Sequence, residues 1–233
     1  MEILHVLNRG VDKRKIFLDE QDYFRFIHDL FEFNDTKPVN NLTYFFFRQS
    51  KNTQSKDIAR PYIENERFNR KRNLLVAIHA FCLMSNHYHL LLSSRVKNGI
   101  PKFMKKLNMG YAKYFNKKYK RSGTLFEGRY KSVPIKNESH FMYIPYYIHL
   151  NPLDLVSLEW RNGELKDYKK ALNFLENYRW SSHLDYLGEK NFPSITQRNF
   201  LLGCFGGNRG YRNRIKEWLG EISLSEAKGI ILE

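Results

Sequence analysis

His87 and His89 stand two residues apart in S-N-H-Y-H-L-L-L, residues 85–92, at the end of a long apolar run. Alternate residues of a strand share a face. Both imidazoles therefore point one way, while Tyr88, Leu90 and Leu92 point the other. Two imidazoles about 7 Å apart along one strand can converge on a single divalent ion. A metal centre needs a third ligand, which must come from elsewhere in the chain. The plainer alternative is a pair of half-buried histidines with hydrogen-bonded neighbours.

Residues 143–152, Y-I-P-Y-Y-I-H-L-N-P, offer that ligand. Residues i and i+4 are neighbours on a helix, and of the 15 tyrosines only Tyr147 has an Asn or Gln four positions later, Asn151. A carboxamide oxygen is a hard ligand. With two imidazoles it suits Mg²⁺ or Mn²⁺ and leaves positions open for a phosphate, whereas it is unusual for zinc. Tyr147, one turn back, could present its phenolate to that phosphate. The alternative is that Tyr147 packs in the core and Asn151 merely ends the helix, with no connection to the histidines. Tyr143 lies on nearly the same face as Tyr147, while Tyr146 points about 100° away. Pro145 removes a backbone donor and should kink the helix.

His87-Tyr88-His89 resembles the His-hydrophobic-His motif of the single-tyrosine HUH transposases. Y-I-H-L-N-P resembles the tyrosine helix of the REP-associated tyrosine transposases and their insertion-sequence relatives. Further blocks match in order: H-V-L-N-R-G at 5–10, F-C-L-M-S-N-H-Y-H-L-L at 81–91, G-T-L-F-E-G-R-Y-K-S at 123–132 and Y-R-W-S-S at 178–182. The resemblance spans about residues 3–186. It implies an enzyme that cuts single-stranded DNA beside a folded hairpin. His87, His89 and Asn151 would then ligate Mg²⁺ or Mn²⁺. Tyr147 would attack the scissile phosphate, leaving a 5′-phosphotyrosine and a free 3′-OH. A catalytically silent, sequence- or hairpin-specific DNA-binding protein of the same descent is the alternative. So is a metal phosphodiesterase that uses water.

The elements that must position these residues follow from pattern. Residues 2–8 read as a strand broken by Asn8-Arg9-Gly10. Asp19 can cap a helix over about 20–34, whose Tyr23, Phe24, Ile27, Leu30 and Phe31 fall at helical spacing. Residues 43–47 look like strand, and 49–72, polar and interrupted by Pro61, like an insertion. Residues 74–84 and 87–93 read as buried strands, 101–118 as a helix and 124–135 as a strand or ribbon. Asn137 can cap a helix running to Leu150, stopped by Asn151-Pro152. This order predicts an α+β fold, an antiparallel sheet with helices packed on one face, as in a ferredoxin or RNA-recognition sandwich. The catalytic domain would be 1–152, with a mainly helical extension at 153–233 packed on it. Trp180-Ser181-Ser182 and Phe205-Gly206-Gly207 read as turns in that extension.

The 233 residues carry a formal charge of +15, which points to a polyanion as partner. Between Lys102 and Lys136 there are eleven Lys or Arg and one acid, Glu127, interleaved with aromatics. That pattern fits a phosphate track. Lys105, Lys106, Lys113 and Lys117 on the helix, Arg129 and Lys131 on the ribbon, and Arg9 after the first strand are the candidate DNA contacts. For each, a solvated surface charge is the plain alternative. No run of 18 apolar residues spans a bilayer, and the start reads as strand and turn rather than as a secretion signal. Cys82 and Cys204 form no framework, which suits a reducing cytoplasm. Whether the protein acts as monomer or homodimer stays open.

Overall fold

The computed structural model describes residues 2–38, 72–162 and 165–221. The expected strand at 43–47 and all of the expected insertion except Arg72 lie outside the described residues, as does the extension beyond 221.

Among the described residues four strands form one sheet: β1 (Ile3–Arg9), β2 (Val76–Leu83), β3 (His87–Ser94) and β4 (Lys131–Pro134), in the order β2-β3-β1-β4 with every neighbour antiparallel. Helix α1 (Glu20–Glu32) joins β1 to β2, and α2 (Gly99–Lys118) joins β3 to β4. Each crossover skips one strand, which is the split βαβ arrangement of ferredoxin-like folds. The expected cap is present, with Asp19 Oδ1 accepting from the Asp22 amide at 3.1 Å. The expected ribbon at 124–135 is strand only over Lys131–Pro134. Phe126 makes a single bridge to Gly10, and residues 127–130 leave the ladder between them.

The two faces of the sheet bury different layers. Val6, Ile78, Tyr88, Leu90 and Leu92 pack with Phe26, Leu30, Phe103, Leu107 and Tyr111 of α1 and α2. This is the expected helical layer. The opposite face is covered as well, by α3 (Glu138–Leu150) and the C-terminal extension. Ile3, Ala80, Cys82 and Leu91 share one core with Tyr147, Ile148, Trp160, Leu175, Tyr186 and Tyr211. The extension holds α4 (Tyr168–Asn177), α5 (His183–Leu187), α6 (Asn199–Cys204) and α7 (Gly207–Glu221).

Trp180-Ser181-Ser182, expected as a turn, lies along the outer edge of β2. Leu83 N donates to Trp180 O at 2.9 Å and Ser182 N to Phe81 O at 3.0 Å. The segment covers an edge that would otherwise be open to pairing. Gly206 and Gly207, at φ 73° and 78°, make the expected turn between α6 and α7.

Candidate functional site

The site is assembled on the face covered by α3. Arg9 pairs with His87, Leu7 with His89 and His5 with Leu91 across the β1–β3 ladder. Paired residues point to the same side. His5, Arg9, His87 and His89 therefore share that face. The His87 and His89 rings meet edge to face with centroids 4.9 Å apart. His5 stacks on His89 at 5.2 Å, and His5 Nε2 and His89 Nδ1 share a hydrogen bond of 2.9 Å.

Helix α3 brings Tyr147 to this row. Asn137 Oδ1 caps the helix, accepting from His140 N at 2.7 Å. The helix runs through Pro145 to Leu150. Asn151 stays in helical geometry, although a residue before proline tends to leave it. The chain instead tightens into a 3₁₀ turn, Asn151–Leu155, with Pro152 near its start, where a missing N–H costs nothing. The Tyr147 ring lies edge-on to His5 and to His89, each at 5.9 Å. Asn151 Nδ2 donates to Tyr147 O at 2.8 Å, the expected one-turn relation. The structure thus sets Tyr147 against His89, with His87 beside His89 and Asn151 one turn beyond Tyr147.

The two tyrosine rivals are placed differently. Tyr146 stacks among Tyr211, Trp218 and Phe205, away from the histidines. Tyr143 lies behind Tyr147, with ring centroids 6.1 Å apart, and against Trp218.

Burial decides the histidines' charge. It pushes His87 down to about 4, with Arg9 and Arg161 adding to the effect and Asp154 opposing it. Burial, then His87 and His5, holds His89 well below the ordinary histidine range. Both rings are therefore neutral near pH 7 and can offer lone pairs. Asn86 Oδ1 lies 2.7 Å from His87 Nδ1 and can only accept, so Nδ1 carries the proton. His87 Nε2 is buried with no hydrogen-bond partner among the described residues. An orphaned imidazole lone pair fits a metal ligand. Among the described residues no three His, Cys, Asp or Glu side chains are grouped to hold an ion. A site here consequently depends on the Asn151 carboxamide.

Residues that sequence reasoning missed complete the surroundings. Arg161, in the 3₁₀ turn Leu158–Asn162, donates from Nη1 to Tyr147 Oη at 3.3 Å and from Nη2 to Asn151 Oδ1 at 3.1 Å. Asp154 holds Arg161 through Nε at 2.8 Å and Nη2 at 2.5 Å, and accepts from Trp160 Nε1 at 2.6 Å. Only strand parity could have found His5, which stands in the H-V-L-N-R-G block. No periodicity marks Asp154 or Arg161.

The family model described as "Transposase IS200 like" matches residues 68–151, the stretch containing β2, β3, α2, β4, α3 and Asn151. A solved structure described as a REP-associated tyrosine transposase bound to a REP hairpin aligns with TM-score 0.45 and 11% identity, covering 83% of this chain and 84% of that one. No curated protein matches.

The candidate DNA contacts are spread over both faces of the sheet. Arg9 stands beside His87. Lys131 pairs with Leu7 and so faces the histidine side. Arg129 is exposed in the stretch just before β4. Lys105, Lys106, Lys113 and Lys117 sit on α2, in the layer covering the opposite face of the sheet from Tyr147. Lys106 Nζ is engaged with the Asp35 and Lys37 carbonyls at 2.5 and 2.9 Å, so it tethers the chain after α1. Lys105, Lys113 and Lys117 are exposed. Among the described residues no helix is long and apolar enough to cross a membrane.

Proposed function

We propose that this chain is a single-tyrosine transposase-type nuclease that nicks and rejoins single-stranded DNA through Tyr147. One observation carries the reading. The only tyrosine with an amide one turn on lies against His89, beside His87, whose buried Nε2 has no hydrogen-bond partner among the described residues.

His87, His89 and Asn151 would hold Mg²⁺ or Mn²⁺. Such an ion, when bound, polarises a phosphoryl oxygen and offsets charge there. In cleavage the Tyr147 Oη–P bond forms and the P–O3′ bond breaks. The phenolic proton passes to solvent and the departing 3′ oxygen takes one up. The phosphodiester becomes a 5′-phosphotyrosine, which keeps the bond energy for a second 3′-OH to rejoin. A free phenol has a pKa near 10, so it is a weak nucleophile at neutral pH and depends on its surroundings.

Tyr147 is 0% exposed. Beside it, the Arg161 side chain retains 19% exposure, so a phosphate approaching from that side passes the guanidinium. Arg9 and Lys131, on the same face, suit the flanking phosphates. Hairpin-flanked single strands are the partner that the motif resemblance adds, with a cytoplasmic, DNA-associated location.

The test is covalent capture. Labelled single-stranded hairpins from the flanks of the gene are incubated with protein and Mn²⁺ or Mg²⁺, then run on a denaturing gel. The expected result is a shifted band that is lost in Tyr147→Phe and in His87→Ala, with hairpin binding retained. Cleavage surviving Tyr147→Phe would transfer the role to Tyr143 or to water. Tight hairpin binding with no cleavage would favour the binding-only protein.

A further inference from the structure

Arg161 is the group in contact with both Tyr147 Oη and Asn151 Oδ1. The guanidinium is fully committed in direction. Nε and Nη2 form a two-pronged pair with Asp154, Nη2 also reaches Asn151, and Nη1 donates to the tyrosine hydroxyl. Asp154 is fixed in turn by Trp160 Nε1, and the Arg161 guanidinium lies 5.0 Å above the Trp160 ring. A carboxamide oxygen has two lone pairs. The bond from Arg161 uses one of them and orients the other.

We infer that Arg161 is a further catalytic residue of the proposed reaction and that Asp154 is its positioning residue. The inference rests on the Tyr147 reading above. Arg161 Nη1 fixes the direction of Tyr147 Oη and carries a permanent positive charge to the oxygen that bears negative charge twice. It does so first as the Oη–P bond forms with loss of the phenolic proton. It does so again when a 3′-OH attacks the phosphotyrosine: the O3′–P bond forms, the 3′ proton passes to solvent, the P–Oη bond breaks, and the phenolate leaves and then takes up a proton. The same guanidinium meets the scissile phosphate as it enters, because it is the partly exposed group beside a buried nucleophile. A lysine cannot do this, since one ammonium cannot hold Asp154 in a planar fork and also reach Tyr147 and Asn151.

The experiment compares the full chain with Arg161→Gln, Arg161→Lys, Asp154→Asn and the double variant Arg161→Gln/Asp154→Asn. Three quantities are read: single-turnover formation of the DNA adduct with Mn²⁺, hairpin affinity, and, without metal or DNA, the ¹⁹F signal of Tyr147 in fluorotyrosine-labelled protein, assigned by its loss in Tyr147→Phe. Removing one charge-stabilising donor typically slows an enzyme on the order of 10²-fold or more. Arg161→Gln is therefore expected to lose roughly that factor in adduct formation with hairpin affinity within about threefold, and to shift the Tyr147 signal. Arg161→Lys, which keeps the charge and guards against a folding failure, should lose roughly tenfold. Asp154→Asn should lose a similar factor alone and nothing more in the Arg161→Gln background, because it acts through Arg161.

Wild-type rates in Arg161→Gln, or an unmoved Tyr147 signal, would overturn the inference while leaving the Tyr147 reading intact. Faster cleavage in Arg161→Gln would overturn it too, making Arg161 a block on the site. A further loss from Asp154→Asn in the double variant would remove Asp154 from the positioning role. A wild-type chain that forms no adduct would overturn both readings together.

Discussion

His5 shows how a single residue can be decisive without carrying chemistry of its own. It stacks on His89 and shares a hydrogen bond with Nδ1 of that ring. Such a partner sets the tautomer and the orientation of a metal-ligating imidazole, and its loss typically costs about 10–100-fold in metal affinity. His5→Ala is expected to weaken Mn²⁺ binding by a factor in that range, and His5→Gln, which keeps a hydrogen-bonding group, by less. Calorimetric titration of the DNA-free protein checks this. Equal Mn²⁺ affinity in all three proteins would detach His5 from the site.

At the scale of elements, the end of β1 is the point where several constraints meet. Gly10 follows Arg9, donates its amide to Asn86 O at 2.8 Å and bridges to Phe126. A Cβ here would lie 2.3 Å from Arg14 O and 2.8 Å from the Ile16 side chain. Since backbone cannot yield as a side chain can, Gly10→Ala should destabilise the fold by more than about 2 kcal/mol. It should also disturb the junction that sets Arg9 against His87. Urea unfolding measures the first effect. A variant as stable as the parent would show that the loop from Val11 to Phe17 adjusts freely. The α3 helix obeys local rules at its start, where Asn137 caps it. At its end the sequence rule gives way, because a 3₁₀ turn accommodates Pro152 without releasing Asn151.

For the whole molecule, the burial of neutral histidines links stability to pH. His79 is pushed down to about 4, by burial and then by Arg95, and His183 to about 3, by burial and then by Arg212. In the unfolded chain a histidine titrates near 6.5. Between roughly pH 6.5 and 4 the unfolded chain takes up protons that the folded chain refuses. The stabilising contribution is therefore complete above about pH 6.5 and declines as pH falls. At pH 5 each of these two residues should cost about 2 kcal/mol relative to pH 7. The melting temperature is expected to fall between pH 7 and 5, and less steeply in His79→Gln than in the parent. A melting temperature flat across that range would contradict the neutral burial of these rings.

The sequence by itself determined the features that depend on local order. Strand parity put His87 and His89 on one face, helical spacing put Asn151 one turn beyond Tyr147, and Asp19 and Asn137 announced their helices. The alternation of strands and helices implied the antiparallel sheet. Only the tertiary structure decided what crosses long distances in the chain. It paired β1 with β3, and so set His5 against His89. It covered the second face of the sheet with α3 and the extension, and folded the Leu158–Asn162 turn back over Tyr147 to bring Arg161 to its hydroxyl. It also divided the lysines of α2 from the histidine face. Local spacing follows from backbone geometry that every chain shares. Strand pairing and the docking of a turn follow from which apolar surfaces bury one another, and no single stretch of sequence holds both partners.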